Sequence, residues 1–314
     1  MNKKTLIVSF GCSFLFVFVF QFFNLRGYLD KPTKTLEKIP VLNSLNEITV
    51  GAAGDIACNF QSKSNEECAQ EKTAKLIEDL NPDIVLALGD LQYKKGTSAD
   101  FQNFYDKSWG LFKEKTKPVP GNHEYETLSA SGFFEYFNNL EKGKGYYSFD
   151  EGNWHLIALN SNCWAIGGCE KNSPQVKWLL EDLKNNSGKC TLAFFHHPLF
   201  SSEKRGGNYF VKYIWQVLYD NNVDLILNGH NHAYERYSPQ TPEGLKDETR
   251  GIRQFTVGTG GRNLYAFTTN NPNIEAKTDK DFGVLKLVLK ENSYGWDFLP
   301  VSEGFSDKGS ATCH

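Results

Sequence analysis

Short apolar runs alternate along most of the chain with amphipathic segments. Five runs rich in Val, Ile and Leu each end abruptly at a small or polar residue, which is typical of strands that are buried on both faces. They cover residues 48–53, 84–88, 154–159, 190–195 and 223–227. Strands that alternate with helices predict an α/β fold. Because we find no repeat and no low-complexity segment, one domain over residues 48–314 is the simplest interpretation.

Two of the intervening segments carry the apolar spacing of a helix. In the first, Ser173 suits an N-cap and Pro174 suits the first turn. Its apolar residues at i, i+3, i+4 and i+7 are Val176, Leu179, Leu180 and Leu183. The second segment precedes the strand at residue 223, with Phe210, Ile214, Val217 and Leu218 on its apolar face. After Gly251 the pattern predicts strands over residues 252–257, 283–289 and 294–301.

The first 26 residues predict that the protein is exported. Lys3 and Lys4 precede an apolar run over residues 6–23, which is the arrangement of a secretory signal. The run is also about long enough to span a membrane, and no small-x-small cleavage site follows it. A cleaved signal peptide and an uncleaved anchor that tethers the protein to a membrane therefore both stay open. Residues 27–47 are expected to form a linker, and the body of the protein to be secreted, periplasmic or at the cell surface.

Composition and charge exclude some classes of protein. The aromatic share of 14% and the charged share of 23% do not fit a disordered or collagen-like chain. The 34 Lys and Arg residues nearly balance the 37 Asp and Glu residues, which leaves a net charge of −3. Without a broad basic face, nucleic acid is not the default partner. Oligomeric state stays open.

Cysteine usage agrees with export. Of the seven cysteines, Cys12 lies in the targeting segment, which leaves an even set of six. In an oxidising compartment such a set predicts disulfides, and six cysteines allow 15 pairings. Short loops favour Cys58–Cys68 and Cys163–Cys169, and Cys190–Cys313 then ties the tail to a core strand. A zinc-thiolate site is the alternative, but the chain has no C-x-x-C pair.

Potential metal ligands follow several of the predicted strands. Gly54-Asp55 and Gly89-Asp90 end the first two, and residues 121–124, 196–197 and 229–232 follow later ones. Five of the seven histidines lie in the last three loops. In open α/β sheets, ligands bind at the carboxyl ends of strands. A mixture of carboxylate, amide and imidazole suits Fe, Zn or Mn better than Ca²⁺.

This ordered set resembles the calcineurin-like metallophosphoesterases, and within them the purple acid phosphatase branch. The general family begins with Gly-Asp-x-His, but residues 54–57 read Gly-Asp-Ile-Ala and lack that His. The purple branch has a tyrosine in Gly-Asp-x-x-Tyr, and residues 89–93 read Gly-Asp-Leu-Gln-Tyr. Gly-Asn-His-Glu stands at 121–124, and Gly-His-x-His followed by Ala-Tyr-Glu-Arg at 229–236. The middle histidine motif, usually Val-x-x-His, reads Ala-Phe-Phe-His at 193–196, which is a mild departure.

The resemblance, which covers residues 55–236, implies a fold and a metal centre. The fold is a single catalytic domain built as a four-layer α/β/β/α sandwich, like small secreted bacterial members. Asp90 would bridge two metal ions. The first site would hold Fe(III), and the second Zn, Fe or Mn. The implied further ligands are Asp55, Tyr93 and His232 at the first site, and Asn122, His196 and His230 at the second.

Four nearby residues are given other roles. His123 cannot easily bind the same metal as Asn122, so it would contact the phosphate and protonate the leaving group. His197 would contact the substrate or support a ligand. Glu124 and Arg236 would be structural supports of the site.

The resulting hypothesis is an exported dinuclear-metal phosphatase that hydrolyses small phosphate monoesters by attack of metal-bound hydroxide. The alternatives are a phosphodiesterase or nucleotide pyrophosphatase with the same metals, and a catalytically silent metal-binding surface protein. A serine-nucleophile route lacks a Gly-x-Ser-x-Gly motif.

Three other features receive separate predictions. Residues 201–207 are expected to form either a mobile rim with cationic substrate contacts or an ordinary solvated loop. Residues 258–261 are expected to form a turn near the site. His155 is expected to be a hydrogen-bonded residue of the core or sheet.

Overall fold

Two β-sheets share one hydrophobic core. A computed structural model describes residues 47–59, 68–204 and 206–314, and thirteen strands lie within these residues. They are β1 (Ile48–Ala53), β2 (Ile84–Leu88), β3 (Thr116–Val119), β4 (Tyr147–Glu151), β5 (Trp154–Ala158), β6 (Cys190–Phe194), β7 (Leu225–Asn228), β8 (Tyr234–Tyr237), β9 (Arg253–Val257), β10 (Ile274–Thr278), β11 (Gly283–Leu289), β12 (Ser293–Pro300) and β13 (Lys308–Thr312).

The central strands of each sheet run parallel. The first sheet has the order β13-β12-β11-β1-β2-β3, with β1, β2 and β3 parallel. The second has the order β10-β8-β9-β7-β6-β5-β4, with β5, β6, β7 and β9 parallel. Parallel strands bring their carboxyl ends to one edge of a sheet, so the loops after them lie together.

Short helices connect and cover the sheets. They are α1 (Gln70–Leu80), α2 (Ser98–Asp100, which continues as a π-turn over Phe101–Tyr105), α3 (Ser131–Tyr136), α4 (Pro174–Asn185) and α5 (Lys212–Asp220). Single 3₁₀ turns add Glu124–Glu126, Leu128–Ala130, Cys163–Ala165 and Tyr209–Val211, and a longer 3₁₀ stretch covers Trp109–Lys115.

Alternation along the strands builds the four layers. In β6, Leu192 and Phe194 face the core between the sheets, whereas Ala193 packs in a second core with α4 and α5. On the first sheet, Gly51 lies so close to Ile77 of α1 that a Cβ there would be 2.6 Å from the Ile77 Cδ1 atom. Helices therefore cover the outer face of each sheet, and the predicted α/β/β/α sandwich is confirmed.

Two details of the helix prediction are wrong. Leu180, which the helical spacing predicts on the apolar face of α4, is 44% exposed. Phe210 precedes α5 in a 3₁₀ turn and is 51% exposed, and the neighbouring Val211 is buried in its place. Ser173 does stand at the N-cap position of α4, but its side chain makes no capping hydrogen bond.

The three favoured disulfides are confirmed: the structure pairs Cys58 with Cys68, Cys163 with Cys169 and Cys190 with Cys313. The last joins the first residue of β6 to the residue after β13, and so links the two sheets.

The predicted signal or anchor at residues 1–26, and all of the predicted linker except residue 47, lie outside the described residues. Within the described part of the chain, no helix has the length and apolar character needed to cross a membrane.

Candidate metal centre

The loops after β1, β2, β3, β6 and β7 meet at one edge of the sandwich and bring the predicted ligands together. Asp55, Asp90 and His230 each have a positive φ, of 58°, 49° and 68°. Residues other than glycine rarely adopt this conformation, and those that do cluster at functional sites. Each of the three follows a glycine directly.

Asp55, Tyr93 and His232 form one compact group. The Tyr93 hydroxyl donates to Asp55 Oδ1 at 2.8 Å and lies 3.0 Å from His232 Nε2. His232 Nε2 is 3.2 Å from Asp55 Oδ1, and His232 Nδ1 is held by the Asn263 carbonyl at 2.6 Å. That second contact turns Nε2 toward the group, as partners of metal-binding histidines commonly do.

Asp90 connects this group to the second one. Its Oδ2 atom accepts from the Tyr93 hydroxyl at 3.0 Å and lies 3.2 Å from His196 Nε2. The Leu88 carbonyl holds His196 Nδ1 at 2.9 Å, so Nε2 faces Asp90. The Asp90 carboxylate therefore lies between Tyr93 of the first group and His196.

Asn122 and His230 complete the second group. The His230 ring centroid is 5.0 Å from that of His196, and the His230 backbone N–H donates to Asp55 Oδ2 at 2.7 Å. Asn122 lies between Gly121 and His123, whose backbone N–H groups donate to Glu124 and Asp90. The structure thus brings all seven predicted ligands to one edge of the fold.

The charges of the site favour a bound cation. Burial opposes ionisation of Asp90, but attraction to His196 outweighs it and holds the Asp90 pKa well below its usual range. Burial would also lower the pKa of His196, yet the charge of Asp90 raises it to about 9. Burial and the two carboxylates raise the Tyr93 pKa well above its usual range, so a phenolate there needs a cation beside it.

Two buried ligand atoms also lack other partners. Asn122 Oδ1 has no hydrogen-bond partner among the described residues, and His196 Nε2 has only the Asp90 carboxylate beside it, at 3.2 Å. Unpaired buried polar atoms are costly, and a metal ion would satisfy both. Mixed oxygen and imidazole donors suit Fe, Zn or Mn. The residues present therefore fit two metal ions.

Two glycines allow the loops to approach each other closely. Gly89 has φ +85°, and a Cβ there would lie 2.6 Å from His196 Nδ1. A Cβ on Gly121 would lie 2.2 Å from Asp90 Oδ1. A side chain at either position would displace a candidate ligand.

Glu124 holds the loop that carries Asp90. It is fully buried, and its carboxylate accepts four backbone N–H groups at 2.7–3.2 Å. The donors are Asp90, Leu91, Gln92 and Gly121. Burial, together with the nearby charge of Asp90, raises the Glu124 pKa to about 7. The carboxylate thus fixes two ligand loops in one position, as expected of a support.

His123 presents one ring nitrogen to the site. The Lys94 carbonyl lies 2.6 Å from Nδ1, and Nε2 lies 3.9 Å from Asp90 Oδ2. The His123 side chain is 21% exposed, so it is reachable from solvent. Because Nδ1–H donates to this carbonyl, the His123 ring carries a second, transferable proton on Nε2 only as the imidazolium cation.

His197 lies beside the second group of ligands. Its Nδ1 atom is 2.8 Å from Ser161 Oγ, which also accepts the His197 backbone N–H at 3.0 Å. The His197 ring centroid is 4.4 Å from that of His230 and 5.2 Å from that of Phe210. His197 thus packs against His230 of the second group.

A loop that the motifs did not single out contributes to the site. Besides the Asn263 carbonyl, Tyr265 stacks on His232 with ring centroids 4.2 Å apart. The Arg262 guanidinium lies over the Tyr93 ring, 5.2 Å from its centroid. The only sequence signal for this loop is the turn predicted at residues 258–261, where a Cβ on Gly258 would lie 2.9 Å from Asp55 Oδ2.

Arg236 and His155 are structural residues in other regions. Arg236 makes two hydrogen bonds to Asp307, at 2.8 and 2.9 Å, and an ion pair with Glu275. It contacts no candidate ligand in the bonds described, so its expected support of the site is indirect at most. His155 bonds Asp150 and Asp182, each at 2.7 Å, which confirms the predicted hydrogen-bonded residue.

The segment 201–207 differs from both predictions at its start. Ser202 and Glu203 are buried. The Glu235 carboxylate accepts the Ser202 N–H at 2.8 Å and the Ser201 hydroxyl at 3.2 Å. The buried Glu235 carboxylate therefore anchors this end of the segment. The predictions of a mobile rim and of a solvated loop both expected it to be exposed. Arg205 lies outside the described residues.

Comparisons with known proteins identify relatives of the chain. A family model described as calcineurin-like phosphoesterase matches residues 48–234, more than half of the chain. Probable purple acid phosphatase 20 of Arabidopsis thaliana is 28% identical over 80% of this chain and 61% of its own length. Fe(3+)-Zn(2+) purple acid phosphatase 12 of the same plant is 26% identical over 79% of this chain and 58% of its own length.

A solved structure shows the same fold. The purple acid phosphatase PPD1 from yellow lupin (Lupinus luteus) seeds superimposes with a TM-score of 0.69 and 20% identity, over 85% of this chain and 54% of that one. The chain thus spans less than two thirds of the length of these relatives.

Proposed function

Because the chain belongs to the calcineurin-like phosphoesterase family and to its purple acid phosphatase-like branch, we propose that it hydrolyses small phosphate monoesters with two bound metal ions. The observation that carries this proposal is the convergence, at one edge of the sandwich, of seven ligand-type side chains in the order of the branch's motifs. Residues kept in strained backbone conformations at this edge support a functional role.

The residues suggest how the two ions are held. Asp55, Tyr93 and His232 would bind Fe(III), for which a phenolate is a suitable ligand. Asn122, His196 and His230 would bind Zn, Fe or Mn, and Asp90 would bridge the two. Metal ions at such a site polarise the phosphoryl group and lower the pKa of bound water.

The chain's own residues then orient the reaction. His123, as an imidazolium whose Nδ1–H donates to the Lys94 carbonyl, would give its Nε2 proton to the departing oxygen and be left as the neutral ring with its hydrogen on Nδ1. The Arg262 side chain beside Tyr93 would add positive charge near the phosphate. His197 would keep His230 in position and line the substrate side.

We also propose that the protein acts outside the cytoplasm. Three disulfides support this, because such bonds persist in oxidising compartments. Fractionation of cells expressing the full chain, compared with a version lacking residues 1–26, tests it. Equal recovery of both in the cytoplasm would oppose export.

The function is tested with phenyl phosphate. The metal-loaded protein should hydrolyse it, chelation should abolish the activity, and added Fe and Zn should restore it. Asp90→Asn should lower kcat by about a hundredfold or more, since a bridging carboxylate is lost. Asp79→Asn, on the exposed face of α1, is the matched control.

Two results would contradict the proposal. Activity that survives chelation or Asp90→Asn would exclude a dinuclear mechanism. Faster hydrolysis of bis(phenyl) phosphate than of phenyl phosphate would favour the phosphodiesterase alternative.

A further inference from the structure

Three large aromatic side chains are exposed beside the candidate metal centre. Trp164, Tyr209 and Phe210 are 72%, 80% and 51% exposed, and all other exposed large apolar residues in the described part of the chain are leucines. Exposed aromatic rings grouped at one place mark a binding surface more often than scattered apolar residues do.

Two of these rings lie at a groove of about 570 Å³. Tyr209 and Phe210 line one part of it, and the disulfide-bonded Cys163 and Cys169 line another. Trp164 follows Cys163 directly in the chain. We call Trp164, Tyr209 and Phe210, together with this groove, the aromatic rim.

The aromatic rim is continuous with the candidate site at two points. The Phe210 ring centroid is 5.2 Å from that of His197, which is itself 4.4 Å from that of His230. The Trp164 ring packs edge-on against Tyr125, 5.2 Å away, two residues beyond His123. The rim thus borders both the second group of ligands and the loop that would protonate the leaving group.

We propose that the aromatic rim selects phosphate monoesters whose leaving group carries a planar aromatic ring. This inference rests on the proposed function, because the phosphate would bind at the metal centre and the departing oxygen would face His123. The organic part of the substrate then extends over the loops that carry Trp164 and Phe210. Stacked or edge-on contact with an aromatic ring stabilises a bound ring beyond the area it buries.

The kinetic test compares 2-naphthyl phosphate with phenyl phosphate, because both release an aryl alcohol and differ mainly in ring area. In the wild-type protein, we expect kcat/KM to be about two- to tenfold higher for the naphthyl ester. Trp164→Ala and Phe210→Ala should bring this ratio close to one. Leu111→Ala, a 69% exposed residue in another part of the chain, should leave it unchanged. A ratio that is the same in all four proteins would overturn the proposal.

A binding test separates this inference from the phosphatase activity. Calorimetry with metal-loaded protein should show tighter binding of phenylphosphonate than of cyclohexylphosphonate, and the difference should shrink in Phe210→Ala. If no phosphate ester is hydrolysed, the proposed function fails while this comparison still tests the aromatic rim. Equal affinity for the two phosphonates, or no binding of either, would overturn the inference.

Discussion

The hydroxyl of Tyr93 lies 3.0 Å from Nε2 of His232, although 139 residues separate them in the chain. The same oxygen contacts the carboxylates of Asp55 and Asp90. A single atom therefore touches three side chains from three different loops, which makes the hydroxyl a central part of the proposed iron site.

Replacing Tyr93 by Phe should weaken iron binding by about tenfold or more, because a ligand oxygen is removed and the ring stays in place. Protein purified with iron should be coloured, and the variant should lose the visible absorption band. Absorption spectra and metal analysis measure both effects, with Tyr146→Phe as the control. A colourless wild-type protein, or a band that survives in Tyr93→Phe, would contradict Fe(III) at this site.

Replacing His123 by Ala should lower kcat by about 10²- to 10⁴-fold, because the departing oxygen loses its proton donor. The loss should be greater for phenyl phosphate than for 4-nitrophenyl phosphate, whose leaving group needs less protonation. Steady-state kinetics on both esters, with metal content measured in parallel, separate this role from metal binding. A loss that is equal for both esters, or that follows lost metal, would argue against His123 as the acid.

Replacing Glu124 by Gln should weaken metal binding or activity by about 10- to 100-fold, although Glu124 binds no metal in the proposed site. The amide keeps only one acceptor oxygen and places an NH₂ group against backbone N–H donors that now bond to the carboxylate. Titration with Zn and Fe measures the affinity, with the exposed Glu114→Gln as the control. Unchanged affinity and kcat would show that the loop holds its shape without this carboxylate.

The sequence predicts that the candidate ligands cluster, because each of them stands shortly after a strand. Gly54-Asp55 and Gly89-Asp90 already mark the sharp turns at which the structure has positive φ. The layered fold follows from the buried strands and from the resemblance.

Contacts made by backbone atoms, and contacts on the surface, were harder to predict. The carbonyl of Asn263 and that of Lys94 orient two histidines, but a carbonyl carries no residue-type signal. Helical spacing placed Phe210 in the core because periodicity does not reveal where a helix begins. The structure starts α5 at Lys212, two residues later, and leaves Phe210 at the surface.

The His155 network predicts that part of the stability depends on pH. Burial disfavours its charged form, but hydrogen bonds to Asp182 and Asp150 outweigh burial and raise the His155 pKa. A raised pKa contributes stability that is complete below the unfolded value of about 6.5 and is lost as pH rises through the folded value. The bonds to Lys189 and His155 lower the Asp150 pKa. The contribution of Asp150 to folding stability is therefore complete above about pH 4 and is lost as pH falls below that value.

His155→Gln should therefore cost most stability between about pH 4 and 6.5, on the order of 1–3 kcal/mol, and less at about pH 8.5. Urea unfolding of both proteins at about pH 5.5 and at about pH 8.5 measures the difference. Ser148→Ala removes a neutral donor to the same Asp182, so its cost should not change with pH. An equal cost of His155→Gln at both pH values would contradict a charged His155.

The Cys190–Cys313 disulfide should stabilise the protein more than Cys163–Cys169 does. Its cysteines are 123 residues apart, against 6 for the other pair, and a longer closed loop restricts the unfolded chain more. Replacing both Cys190 and Cys313 by Ala should lower the free energy of unfolding by about 2–5 kcal/mol. Equilibrium urea unfolding compares this variant with the one in which Cys163 and Cys169 are both replaced by Ala.

Because Cys190 begins β6 and His196 follows the end of that strand, metal content of the Cys190/Cys313 variant should change little while its stability falls. A larger loss of unfolding free energy in the Cys163/Cys169 variant would show that loop entropy does not determine which disulfide stabilises the protein more.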